Sequence, residues 1–212
     1  MANIVEKFKA KSKKQKKSAL YGFLIFLGLF MILIAVMASI KVPVWLDYEN
    51  PQYGIEMKYP GHWRKIDELP AGAIVAFALL PESPMDFYSP NLNVTFHDTR
   101  GQKMSPAQFN KEAIRQLVGL FGGYVKVLVS KPAKLAGIKG YRYEYVGDIV
   151  GKKLPGNMEI PEEYRKNPAQ YLHVWALTDK GAYIITYTAL KNDFRKHLGL
   201  VNGMIRSFKL ID

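Results

Sequence analysis

The sequence predicts an α+β domain, a mostly antiparallel sheet layered with a few helices, carried behind one membrane-spanning helix. Three observations predict it. A charge-free apolar run follows a lysine-rich N-terminus, short alternating segments recur through the rest of the chain, and two amphipathic stretches interrupt them. At 212 residues the chain has room for one ordinary domain plus an anchor.

Residues 1–17 form a basic tail. Lys7, Lys9, Lys11, Lys13, Lys14, Lys16 and Lys17 face a single acid, Glu6, so half of the formal charge of +12 lies here. Beyond the tail the charges of both signs are evenly mixed, as on an ordinary solvated surface, and nucleic acid is not predicted as a partner.

From Ser18 to Ile40 no residue is charged. As a helix this run reaches roughly 34 Å at about 1.5 Å per residue, enough for a hydrocarbon core of about 30 Å. Tyr21 and Trp45 are spaced to mark the two membrane interfaces. The lysines precede the span and only Lys41 closely follows it, which predicts a cytoplasmic N-terminus and an extracytoplasmic domain: periplasmic, lumenal or at the cell surface. The lipid bilayer is then a partner, with anionic headgroups attracting the tail. Val36-Met37-Ala38 offers a signal-peptidase alternative, cleavage after Ala38, but the apolar run is longer than a signal core of about 7–15 residues. Ala35 and Ser39 are a weak small-residue pair for helix association.

Residues 41–52, with Pro43 and Pro51, read as a linker, and 53–212 as the exported domain. Tyr53, Ile55, Met57 and Tyr59 alternate with Gly54, Glu56 and Lys58, the pattern of a half-buried strand that Pro60-Gly61 ends. Further strands are expected over 73–80, 92–97, 124–129, 138–149, 171–178 and 182–189. Ser105-Pro106-Ala107-Gln108 combines an N-cap serine, a first-turn proline and a capping-box glutamine, followed by the stripe Phe109, Ala113, Leu117 and Leu120. A second helix begins near Asn192 and carries Phe194, Leu198, Val201, Ile205 and Phe208. Both stripes read as packing faces. Residues 150–169, rich in Gly and Pro, read as a long surface insertion.

The run Tyr53-Gly54-Ile55-Glu56-Met57-Lys58-Tyr59-Pro60-Gly61-His62-Trp63 resembles the opening strand of PsbP-like domains, and the closing strand 182–189 with the helix ending near Ser207-Phe208 is similar too. The resemblance spans roughly residues 48–211. It implies an α/β/α sandwich with a central antiparallel sheet, and members that mostly act as non-catalytic accessory or assembly factors on membrane complexes. The anchor and the insertion near Pro161 depart from that family, so a photosynthetic partner does not follow.

Chemistry is sparse. There is no cysteine, hence no disulfide, thiolate metal site or cysteine nucleophile. His62, His97, His173 and His197 are scattered and fit no metal-ligand spacing; His97-Asp98 with Asp86 is the one divalent-ion candidate, weakened because strand neighbours point to opposite faces. No Gly-x-Ser-x-Gly elbow surrounds Ser83, Ser89 or Ser130, Glu162-Glu163 read as solvated, and Gly119, Gly122 and Gly123 read as a helix terminus. Tyr141, Tyr143 and Tyr145 could form a stacking platform for sugars or nucleic acid, or a sheet face under a helix along with Trp175 and Tyr187; the covered sheet face is favoured. Asn93-Val94-Thr95 matches a glycosylation acceptor inside a strand. No catalytic, cofactor-binding or metal residues are therefore assigned and no cofactor is expected. The expected function is a non-enzymatic, membrane-anchored accessory subunit or assembly factor of a membrane protein complex, contacting it through 150–169 and 81–90. The alternative is an extracytoplasmic ligand- or metal-binding module, which a pocket of convergent polar groups would favour.

Overall fold

The computed structural model describes residues 26–32, 34, 43–69, 72–81, 88–99, 104–120, 125–147 and 166–211. The chain divides into two units, Met1–Val42 and Pro43–Asp212. In the first, residues 26–32 and 34 are helical, and Phe26, Leu27, Leu29, Phe30, Met31, Ile32 and Ile34 are exposed. The rest of the span expected over 18–40, with Tyr21, Ala35, Ser39 and the tail lysines, lies outside the described residues. Among the described residues no helix is long and apolar enough to cross a membrane.

The second unit contains β1 (Trp45–Asn50), β2 (Ile55–Pro60), β3 (Trp63–Lys65), β4 (Ala73–Leu79), β5 (Asn91–His97), α1 (Pro106–Leu120), β6 (Val125–Leu135), β7 (Ile138–Gly147), β8 (Ala169–Leu177), β9 (Ala182–Leu190), α2 (Lys191–Ser207) and β10 (Lys209–Leu210). A three-stranded sheet runs β1-β2-β10 and a seven-stranded sheet β3-β4-β5-β9-β8-β7-β6. Every described pairing is antiparallel.

Period-two alternation divides the large sheet into two faces. One presents Val75, Phe77, Leu92, Val94, Leu172, Val174, Ile185 and Tyr187 to Ile55 and Met57 of β2 and to Phe194, Val201 and Met204 of α2, forming the main core. Tyr59 stacks on Phe77 at 4.4 Å, and Tyr183 donates to the Tyr53 carbonyl at 2.8 Å, tying the two sheets together. The other face meets α1 through Phe109 and Leu117, which pack with Tyr143, Tyr145 and Trp175. Helices on both faces of an antiparallel sheet make the expected sandwich.

The expected strands and both helices are present, with three departures. Residues 45–50 are not linker but β1, paired along its whole length with β2. Trp45, expected near a membrane interface, is partly buried against the core and packs on Gly203 of α2, where an added Cβ would lie 2.6 Å from its ring. β3 and β10 escape the periodicity because strands of three and two residues show no alternation. The 148–165 part of the insertion, with Glu162 and Glu163, and residues 82–87, with Ser83 and Asp86, lie outside the described residues.

Candidate functional site

The α1 face of the large sheet is polar where the α2 face is apolar. Register carries one polar row across five strands: Asn93 of β5 pairs Thr186 of β9, Thr186 pairs His173 of β8, His173 pairs Tyr143 of β7, and Tyr143 pairs Ser130 of β6. A neighbouring row runs Asn91, Thr188, Tyr171 and Tyr145, and on the other side lie Thr95, Ile184, Trp175 and Tyr141.

His173 is the hub. Its Nδ1 lies 2.9 Å from the Tyr143 hydroxyl and its Nε2 3.1 Å from the Tyr145 hydroxyl. A neutral imidazole has one donor and one acceptor nitrogen, so one phenol donates to the ring and the other accepts from it. Burial disfavours the imidazolium and pushes the His173 pKa down to about 3. Burial likewise raises the Tyr143 hydroxyl well above its ordinary value, and that of Tyr145 further, with Tyr143, Tyr171 and Tyr88 adding to the effect. The hub is uncharged across the physiological range.

Rings buttress it. Tyr145 stacks on Tyr171 at 4.7 Å, Tyr141 on Trp175 at 5.7 Å, and Phe109 of α1 meets Trp175 at 4.5 Å. At the β6 end of the row, Asn110 of α1 donates to the Ser130 hydroxyl at 3.2 Å. Trp175 Nε1 and Asn110 Oδ1 are buried with no hydrogen-bond partner among the described residues.

Away from that end α1 and the sheet part into a half-open cleft of about 1140 Å³. The row supplies its floor through Tyr143, His173 and Thr186, with Thr95 and Ile184 beside them; Gln108, Glu112, Ala113 and Gln116 of α1 form one wall. The capping box places Gln108: its side-chain oxygen accepts from the Ser105 amide at 2.8 Å, while its amide donates to Ser105 Oγ at 3.3 Å. Glu112 accepts from Arg115 at 2.8 and 2.9 Å and from Gln116 at 3.0 Å, contacts that hold its carboxyl below the usual range.

The structure thus brings together two of the four scattered histidines, His97 and His173, on one cleft. Asp98 joins them: it follows the last residue of β5, so strand alternation no longer separates it from His97. Among the described residues no group of three His, Asp or Glu side chains could hold a metal ion. His62 sits exposed in a turn, and His197 lies on α2 with its ring 6.4 Å from Trp63. The tyrosines 141, 143 and 145 do share a face covered by a helix, whereas Tyr187 belongs to the opposite core, donating to the Phe194 carbonyl at 3.1 Å. Thr186 and the polar row it belongs to are not evident from the sequence, and Thr95 shows there only as part of a glycosylation triplet. The available signal is the repeated polar parity of β5, Asn91, Asn93, Thr95 and His97.

Among solved structures, the chain is similar to cyanobacterial PsbP (CyanoP) from Synechocystis sp. PCC 6803, with a TM-score of 0.52 and 15% identity over 81% of this chain and 95% of that one. The domain has a PsbP-like fold. A second match, the Saccharomyces cerevisiae Ran-binding protein Mog1p, has a TM-score of 0.52 and 12% identity, covering 81% of this chain and 97% of that one. At these identities the likeness is one of fold. No protein-family signature and no curated protein sequence matches the chain.

Proposed function

We propose that the PsbP-like domain is a non-catalytic binding module whose ligand sits in the cleft between α1 and the sheet. The carrying observation is the convergence of neutral, mutually oriented polar groups, Tyr143, His173, Thr186 and Thr95, on one cleft. Both His173 nitrogens are engaged and its charged form is disfavoured, which suits holding hydroxyls in place rather than moving protons. Native mass spectrometry of the full chain, released from its own membranes in mild detergent, tests this. A bound non-protein mass that disappears in Ala113→Trp, which fills the cleft, is the expected result; a ligand-free wild-type chain would overturn the reading.

A second reading, an accessory subunit or assembly factor of a membrane protein complex, draws on the lysine-rich tail and the charge-free run behind it, with its exposed helical residues 26–32 and 34. In that reading the N-terminus is cytoplasmic and the domain is tethered outside the cytosol. That one fold neighbour is a Ran-binding protein is in keeping with a binding role. A larger assembly co-migrating with the chain supports it, and a reporter fused behind Asp212 that is active only in the cytosol would contradict the topology.

A further inference from the structure

The ligand's chemistry follows from what lines the cleft. The chain carries +12, yet the described lining holds two carboxylates, Asp98 and Glu112, and no lysine or arginine. Among the described lining residues only His97 and His173 could carry a positive charge for an anion, and both nitrogens of His173 are taken by Tyr143 and Tyr145. Glu112 is already met by Arg115, so a cation finds its charge partly answered. With few charges of either sign among the described lining residues, an uncharged ligand fits them better than an ion.

The floor groups also select the kind of polarity. Threonine and tyrosine hydroxyls both donate and accept, as a ligand hydroxyl does, whereas a ligand with acceptors alone would leave half of that capacity unmet. Tyr143 is adaptable: if Nδ1 of His173 carries the proton, Tyr143 accepts from it and keeps its own hydrogen to donate outward. In the other tautomer Tyr143 donates to Nδ1 and keeps lone pairs to accept. Interleaved with these groups are apolar side chains, Ile184, Leu117 and Phe109. The volume lies above the roughly 300–1,000 Å³ common for small-molecule sites, room for more than one ring.

We propose that the cleft binds an uncharged saccharide of two or more rings, with Thr186 and the His173-oriented hydroxyl of Tyr143 meeting its hydroxyls and Ile184, Leu117 and Phe109 facing its C–H edges. This rests on the cleft being the binding site. The test is saturation-transfer NMR on the full chain in a detergent without a sugar headgroup, using cellobiose, maltose and chitobiose, with cellobionate as the anionic control. At least one uncharged disaccharide should bind, cellobionate about tenfold or more weakly, and Tyr143→Phe and Thr186→Val should each weaken binding about threefold to tenfold. Thr186→Val keeps the side-chain shape, so it reports on the hydroxyl even if the tyrosine variant folds poorly. Cellobionate binding as tightly as cellobiose, or binding undiminished in Ala113→Trp, would overturn the assignment. If all three disaccharides fail while Ala113→Trp still removes a native ligand mass, the saccharide class is wrong and the cleft stands; if both signals are absent, both fall.

Discussion

Gly140 of β7 faces the carbonyl of Trp175 on β8 so closely that a Cβ at position 140 would lie 1.7 Å from the oxygen. The contact is backbone against backbone, so no rotamer change relieves it. It seats β7 tightly on β8 at the strand position next to Tyr141, and thereby fixes the register that brings Tyr143 opposite His173. Gly140→Ala should destabilise the domain by at least about 1–3 kcal/mol, the scale of overpacking a close-packed site. Urea denaturation of the variant beside wild type measures it.

Two glycines of α2, one turn apart, should respond in opposite directions. Gly199 is exposed and a Cβ added there would meet no atom within 4 Å, whereas a Cβ at Gly203 would lie 2.6 Å from the Trp45 ring. Gly199→Ala should stabilise by about 0.5–1 kcal/mol through helix propensity. Gly203→Ala should lose stability, because Trp45 must shift and β1 with it. Thermal melts of the two variants decide the sign of each.

The β6–β7 hairpin turns on Ala136 and Gly137, with φ of 50° and 77°. Both central residues lie in the left-handed region, the geometry for which Asn-Gly is preferred. Ala136 bears a strain of roughly 1 kcal/mol there. Ala136→Asn should raise the denaturation midpoint without changing the dependence on urea concentration.

His173 predicts a pH dependence of stability. Its folded pKa, pushed down to about 3 by burial, lies below the ordinary value of 6.5. Between these pH values the unfolded chain binds a proton that the folded chain does not, so stability is fully present above about pH 6.5 and falls as the pH drops toward 3. The slope contributed is at most about 1.4 kcal/mol per pH unit. In His173→Gln this component is absent, so the stability difference between wild type and variant should shrink on acidification.

The fold was legible where its pattern is local. Ile55 and Met57 alternate with polar neighbours and are buried, and Ser105 with Gln108 announces α1 through atoms three residues apart. β1 was not legible: between Pro43 and Pro51 it offers neither face a clean apolar row, since Leu46, Asp47 and Glu49 are all exposed and only its pairing with β2 defines it. The cleft was hidden for a different reason. Its floor joins Tyr143, His173 and Thr186 with Thr95, residues from four strands whose adjacency is decided by long-range register, and no spacing in the sequence encodes that. His97 and Asp98 reach the same cleft because β5 ends at His97, whereas alternation would separate them only on a strand continuing through Asp98.

His173 sits uncharged between two phenols at the floor of the cleft. Imidazole ¹⁵N chemical shifts of the full chain, followed from pH 8 down to pH 5, test it most directly. The prediction is two widely separated nitrogen signals for His173, one protonated and one bare, unchanged across that range and both perturbed in Tyr143→Phe. Convergence of the two signals to a doubly protonated ring above pH 5 would contradict it.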